Sequence, residues 1–194
     1  AITVQFGDVA ALEITIVLGF SAICGLIGVL WIKMLSGSVE RVRDWNINTK
    51  FKPIIGSLIA GVTLMFFPIY GIQGSGMEGI QDALNIEFVA WFALLWGVMK
   101  MIATASTIGS GNSGGIFGPT LYIGTMFGLA IGLFFDAVFP SIAVDPQIFA
   151  LVGMAAIFSA STHAPLNIAI IVAELSHNFE MIPFLLLGSG ISYA

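Results

Sequence analysis

The sequence predicts an all-α membrane protein, a multi-helix bundle in which full-span helices lie beside short half-span helices. Of its 194 residues, 58% are hydrophobic and only 9% are charged, and the mean hydropathy is +1.02. A soluble domain normally carries about a quarter charged residues. The net charge is −5. Proteins that bind nucleic acid usually present a basic surface to the phosphates, so we expect no nucleic-acid partner.

Seven apolar blocks account for the predicted helices, and a full span needs about 20 apolar residues. The first four blocks are long enough, or nearly so. The fifth and sixth are too short to span upright, and a polar break at Ser161–His163 separates them. Short, interrupted hydrophobic segments are typical of transporters whose helices stop at mid-membrane around a substrate; a pair of kinked or re-entrant helices without a ligand is the alternative. The blocks are 11–34, 53–72, 88–105, 116–139, 148–160, 164–175 and 181–194.

The basic residues predict how the chain is oriented in the membrane. Five of the six lie between Lys33 and Lys52, around the loop that joins the first two blocks. This loop should therefore be cytoplasmic. Lys100, the sixth, lies late in the third block, where we expect its side chain to snorkel to the same side. The glycine-rich segment 71–82 should then face out and carry a short helix.

The run Asn112–Leu121 opens the fourth block and is the most informative stretch of the sequence. Gly114 and Gly115 let the backbone pass close to a ligand, and Pro119 is tolerated in a first helical turn. Such a turn presents free N–H groups and the positive end of the helix dipole. Inside a membrane these groups need a partner, and an anion is the natural one.

The same run carries a family resemblance. Residues Gly115–Pro119 match the Gly-x-Phe-x-Pro signature of the CLC chloride channels and chloride/proton exchangers. Segments Gly153–Ala156, His163–Leu166 and Val172–Ser176 resemble the next elements of that family in the same order. The chain departs from the family pattern at Ser113, where proline is expected. The resemblance covers nearly the whole chain.

The resemblance implies a fold of two inverted-topology halves, with residues 1–194 as the C-terminal half of the membrane domain. It assigns anion binding to the backbone amides of Ile116, Phe117 and Gly118, with Gly115 and Pro119 as motif residues. The gating glutamate and the other pathway motifs would belong to a missing N-terminal half of the same subunit. We therefore expect transport of chloride or a similar small anion, no enzyme activity, and no cofactor or metal. Channel or proton-coupled exchanger stays open, as does the choice among small anions.

The resemblance also implies an integral, multi-pass protein of the lipid membrane, in the inner membrane if the source is bacterial, that forms a homodimer. It places the sixth and seventh blocks at the dimer interface. Their small and branched residues suit helix packing in lipid. These residues are Ala169–Val172 and Leu185–Leu187.

Two other functions remain open on the sequence alone. One is an intramembrane serine protease, because Gly111–Gly114 matches the Gly-x-Ser-Gly pattern of rhomboid proteases. Ser113 and His163 would then be nucleophile and base, which need only meet in space. The other is a structural fragment without activity of its own.

Three polar residues near helix ends have structural interpretations. Glu174 lies in an apolar setting that would suit a proton relay, but capping or pairing near a helix end is the commoner role. We expect His163 to start a helix and His177 to lie in a loop.

Overall fold

The computed structural model describes residues 10–66, 73–85, 89–140 and 145–193. Every regular element within these ranges is helical, which confirms the predicted all-α class. A 3₁₀ helix, Phe179–Met181, precedes the last α-helix. The α-helices are α1 (Ala10–Arg43), α2 (Lys52–Phe66), α3 (Met77–Asn85), α4 (Ala90–Gly109), α5 (Phe117–Val138), α6 (Pro146–Thr162), α7 (Pro165–Ser176) and α8 (Ile182–Tyr193).

Within the described residues, three helices are long and apolar enough to cross a membrane: α1 over Thr15–Arg43, α4 and α5. The second block does not give a full span within the described residues. Its helix, α2, has 15 residues and is therefore about 23 Å long, short of a hydrocarbon core of about 30 Å. The short helix predicted within segment 71–82 is α3, whereas residues 71 and 72 lie outside the described part of the chain.

The C-terminal ends of α1 and α4 meet the N-terminal end of α2. The Ser38 hydroxyl of α1 donates to the Ala105 carbonyl oxygen of α4 at 3.0 Å. The Asn112 side chain, just beyond α4, donates to the Pro53 carbonyl oxygen of α2 at 3.0 Å. The basic residues of segment 33–52 gather at this end of the bundle, which we call the basic end.

The centre of the bundle is α6, although it has only 17 residues. Every residue from Phe149 to Ala160 is buried, because α1, α5, α7 and α8 all pack against this helix. A helix that is apolar on all sides is covered by protein. The fifth block is therefore short because it lies inside the protein and needs no lipid-spanning length.

A row of glycines brings α5 close to α6. Gly124, Gly128 and Gly132 lie four residues apart on the face of α5 that meets Gly153. A Cβ atom at Gly128 would collide with the Phe149 carbonyl oxygen, and one at Gly124 would lie 2.8 Å from the Gly153 carbonyl oxygen. Small residues at this spacing let two helix backbones approach closely in a membrane.

The polar break between the fifth and sixth blocks is shorter than expected. Ser161 and Thr162 still belong to α6, and their hydroxyl groups donate to carbonyl oxygens one turn earlier. His163 ends α6 in the left-handed conformation, at φ 56°. The expectation that His163 starts a helix was therefore wrong.

The connection from α7 to α8 matches the expected loop at His177, which ends α7 at φ 52°. Glu174, one turn earlier, is exposed on α7. Within the described residues it forms no ion pair and no side-chain hydrogen bond. Here Glu174 thus takes neither the buried setting nor the capping and pairing role expected for it.

Candidate functional site

The first turn of α5 presents three unpaired backbone donors. Ile116 caps the helix, and its carbonyl oxygen accepts hydrogen bonds from the Thr120 N–H at 3.0 Å and the Thr120 hydroxyl at 2.7 Å. Within the described residues, the N–H groups of Ile116, Phe117 and Gly118 donate no hydrogen bond. Pro119 has no N–H group. The three free donors lie at the positive end of the α5 dipole.

A loop at residues 73–76 packs against this turn. A Cβ atom at Gly118 would lie 2.7 Å from the Ser75 carbonyl oxygen, so the backbones touch where only glycine fits. Gly76 has a φ of 87° and lies against the Tyr122 ring. The 73–76 loop therefore supports the first two turns of α5.

Lys100 holds the same loop from the other side. The residue lies in the middle of α4, and only 2% of its surface is exposed. Its ammonium group donates to the Gly74 carbonyl oxygen at 3.0 Å and lies 5.2 Å from the centre of the Tyr122 ring. The expectation that Lys100 snorkels to the basic end was wrong, because its partners lie beside the start of α5.

The first turn of α5 lies deep in the bundle, away from the basic end. Trp31 Nε1 donates to Thr120 Oγ1 at 3.1 Å. Trp31 lies 12 residues before Arg43, the last residue of α1, a distance of about 18 Å along the helix. Lys100 lies nine residues before the end of α4, or about 14 Å. Both distances are about half the thickness of a hydrocarbon core, which is about 30 Å.

A cavity of about 440 Å³ opens between α2, α4 and the segment that leads into α5. The glycine-rich motif and Lys100 both line it, so a basic residue lies beside the backbone of the motif. Of the three predicted binding residues, Gly118 lines this cavity, whereas Ile116 and Phe117 do not. The polar and glycine lining consists of Gly74, Ser75, Lys100, Thr104, Thr107, Ser113, Gly114, Gly115 and Gly118.

Phe117 both packs and faces outward. Its ring meets Phe158 of α6 edge to face, with centroids 4.8 Å apart and an interplanar angle of 84°. The residue is nevertheless 44% exposed. The aromatic contact holds the first turn on α6.

Asn112 fixes the segment before α5, a role that the motif match did not reveal. Its Nδ2 atom lies within hydrogen-bond distance of the Pro53 carbonyl oxygen, Ser57 Oγ and Ser110 Oγ, at 3.0, 3.0 and 3.1 Å. Gly111 provides the turn out of α4 with a φ of 89°. An amide next to a glycine is the sequence pattern that would have indicated this turn.

The geometry gives no support to the serine protease alternative. Ser113 lies in the wall of the cavity. His163 ends α6, and its ring lies 5.6 Å from that of Tyr193, centroid to centroid. In the described part of the chain no hydrogen bond joins Ser113 to His163.

The fold and the site define an integral membrane protein that holds the start of a helix in its interior. The chain belongs to the family described as Voltage gated chloride channel, which it matches over residues 1–194. The H(+)/Cl(-) exchange transporter ClcA of Vibrio campbellii is 30% identical to it over 187 residues. That match covers 95% of this chain and 40% of the relative.

Two solved structures share the fold. The crystal structure of a slow cyanobacterial Cl−/H+ antiporter has a TM-score of 0.80 and 24% identity, over 93% of this chain and 42% of that one. A CLC-type fluoride/proton antiporter has a TM-score of 0.78 and 21% identity, over 100% of this chain and 45% of that one. The chain thus spans less than half the length of these relatives.

Proposed function

We propose that residues 1–194 are the C-terminal half of the membrane domain of a protein that transports chloride or a similar small anion. The observation that carries this proposal is the set of unpaired N–H groups of Ile116, Phe117 and Gly118. Within the described residues these groups donate no hydrogen bond, and an unpaired backbone donor inside a membrane protein is costly. An anion is the ligand that this end of a helix favours.

Backbone donors suit transport better than a charged side chain would. A transported ion must bind well enough to enter and weakly enough to leave. The amides of Ile116 and Phe117 supply partial positive charge, whereas the full charge of Lys100 is kept at the cavity wall by the Gly74 carbonyl oxygen. Lys100 then raises the local anion concentration without serving as the principal binding group.

Exchange of chloride for protons is the mode we propose, because the Vibrio relative is named as an H(+)/Cl(-) exchange transporter. We place the parent protein in a bacterial inner membrane for the same reason. The groups that would carry protons belong to the part of the subunit that residues 1–194 lack. The start of α5 forms one side of the anion site, and the other half of the subunit forms the opposite side.

Reconstitution into liposomes tests the proposal. The complete subunit should drive chloride uptake coupled to proton movement, measured with a chloride electrode and a pH dye. Residues 1–194 alone should give no selective flux, since their site is open on one side. Selective chloride flux through residues 1–194 alone would overturn the half-site assignment, and a complete subunit without anion flux would overturn the function.

We also propose a homodimer, formed by the outward faces of α7 and α8. Leu166 and Ile170 of α7 are 66% and 50% exposed, which fits an interface in the membrane. Three residues expected at that interface are instead fully buried within the chain: Ala169, Val172 and Leu185. Cysteine cross-linking at Ile170 between two complete subunits would support this interface, whereas labelling of Ile170 by lipid probes alone would count against it.

A further inference from the structure

A second cavity lies at the basic end, on the far side of α4 from the candidate anion site. It has a volume of about 250 Å³ and lies between the last turns of α1 and α4 and the first turns of α2. Its α4 residues are Ile102, Ala105 and Ser106, whereas the first cavity uses Lys100, Thr104 and their neighbours. At 100° per residue these two sets lie on opposite faces of the helix. We call this second cavity the basic-end cleft.

The serine hydroxyl groups in the walls of the basic-end cleft are already hydrogen-bonded to backbone carbonyl oxygens. Ser38 Oγ lies within hydrogen-bond distance of the carbonyl oxygens of Leu35 and Ala105, at 2.6 and 3.0 Å. The hydroxyl groups of Ser106 and Ser110 donate to carbonyl oxygens of α4. Because these polar groups are satisfied, the cleft offers a ligand hydrocarbon contacts. The apolar lining residues are Met34, Val42, Ile55, Ile59, Ile102 and Ala105.

Arg41 and Trp45 also line the cleft, and both are exposed. Within the described residues, Arg41 makes no ion pair or hydrogen bond. The two acidic residues of segment 33–52 do not line the cleft, and one of them, Asp44, pairs with Arg43 at 3.8 Å. The cleft therefore combines an apolar groove with one available guanidinium group and one interfacial tryptophan.

These features match one kind of ligand. Tryptophan is enriched at membrane–water interfaces, and basic pockets between helices on the cytoplasmic side bind anionic headgroups. Ile59 and Ile102 are both partly exposed, so the groove is open along its length to a surrounding lipid chain. A guanidinium group matches the geometry of a phosphate.

We propose that the basic-end cleft binds one anionic phospholipid from the leaflet that faces segment 33–52. The phosphate contacts Arg41, the glycerol region lies against Trp45, and one acyl chain occupies the groove between α2 and α4. This site is separate from the candidate anion site. It requires that the chain lies in a membrane and that the rest of the subunit leaves the cleft open.

Quenching of Trp45 by brominated lipid tests this site in the complete subunit, held in nanodiscs. The Trp45 signal is the difference between the unaltered protein and a Trp45→Phe variant. Brominated phosphatidylglycerol should quench this signal at a mole fraction about fivefold lower than brominated phosphatidylcholine, from about 1 kcal/mol per basic residue. Arg41→Gln should abolish the preference, and Arg41→Lys should keep most of it.

Lys33→Gln is the matched control, because Lys33 is an exposed residue of α1 that does not line the cleft. It removes the same charge and should leave the preference intact. Equal loss in both variants would mean a general surface charge effect and would overturn the site. Equal quenching by the two lipids would overturn the headgroup assignment. A Trp45 signal that neither lipid quenches would mean that protein covers the cleft, which also contradicts the proposal.

Discussion

Two regions of α5 differ in how completely their groups are paired and packed. The body of the helix, from Gly124 to Gly132, is pressed against α6 so closely that a single added methyl group would collide with backbone atoms. The first turn, at Ile116–Gly118, has free donors and a half-exposed aromatic ring. Packing is complete in the first region and polar pairing is incomplete in the second.

This difference separates what holds the fold from what binds a ligand. Unpaired backbone N–H groups at depth are costly and rare in finished structures. Here they occur at the end of a helix whose body packs closely on α6. This packing offsets the free-energy cost of the unpaired donors. Variants in the body of α5 should therefore lower stability, whereas variants that remove a donor from the first turn should lower anion affinity.

The largest effect is expected in the body of α5. Gly128→Ala places a Cβ atom against the Phe149 carbonyl oxygen and 2.9 Å from the Ala150 Cα atom, so α5 and α6 must separate. Overpacking of this kind costs roughly 1–3 kcal/mol, occasionally more. Thermal unfolding of the detergent-purified subunit should show the loss, whereas chloride affinity of the folded fraction should hold.

Gly19→Ala is the control for that change. Gly19 lies in α1, where an added methyl group would meet no atom within 4 Å, and alanine in a helix is favoured over glycine by about 0.5–1 kcal/mol. It should leave stability unchanged or raise it. Similar losses in both variants would show that the close contact of α5 with α6 does not decide stability.

The next effect is expected at the first turn. Phe117→Pro deletes one N–H donor at a position where helices accept proline, so anion affinity should fall while much of the fold persists. A donor to a charged partner contributes roughly 1.5–3 kcal/mol, or about a ten- to hundredfold loss of affinity. Isothermal titration of the complete subunit with chloride or bromide measures it.

Ile116→Val and Phe117→Ala keep every backbone donor and serve as controls. Their anion affinity should stay close to that of the unaltered protein, although Phe117→Ala also loses the edge-to-face contact with Phe158. Unchanged affinity in a folded Phe117→Pro variant would mean that the anion is not held at this turn.

The sequence was sufficient to predict the helical class and the start of α5. Apolar blocks of about 20 residues leave few other structures in a membrane. The first turn of α5 was predicted within one residue, because Pro119 and the preceding glycines mark the beginning of a helix. Local chemistry determines both features.

Features that depend on distant contacts were not predictable. Lys100 was expected to snorkel to the basic end. This expectation failed because its partner, Gly74, lies 26 residues earlier in the chain, on a loop that the sequence did not place beside α4. The packing role of the glycines from Gly124 to Gly132 can be recognised only when α6 is known to pack against them. On α7, composition alone could not separate the inward Ala169 from the outward Ile170. In each case the missing information was which elements pack together.

The smallest effect concerns the hydrogen bond between α1 and the start of α5. Trp31 Nε1 donates to Thr120 Oγ1 at 3.1 Å, and both residues are buried. Trp31→Phe removes this hydrogen bond, while Thr120 still donates to the Ile116 carbonyl oxygen at 2.7 Å. A neutral hydrogen bond contributes about 0.5–1.5 kcal/mol. Thermal unfolding of Trp31→Phe, Thr120→Val and the double variant should give a coupling of that size.

Chloride binding by the same three variants tests whether α1 positions the first turn of α5. If the Trp31–Thr120 bond positions the first turn, Trp31→Phe should weaken chloride binding by about two- to threefold, because the donors of Ile116 and Phe117 become less well oriented. Thr120→Val should weaken it further, since that variant also removes one of the two hydrogen bonds to the Ile116 carbonyl oxygen. Additive losses of stability, with no change in chloride affinity, would show that the first turn is held by α6 and the 73–76 loop alone.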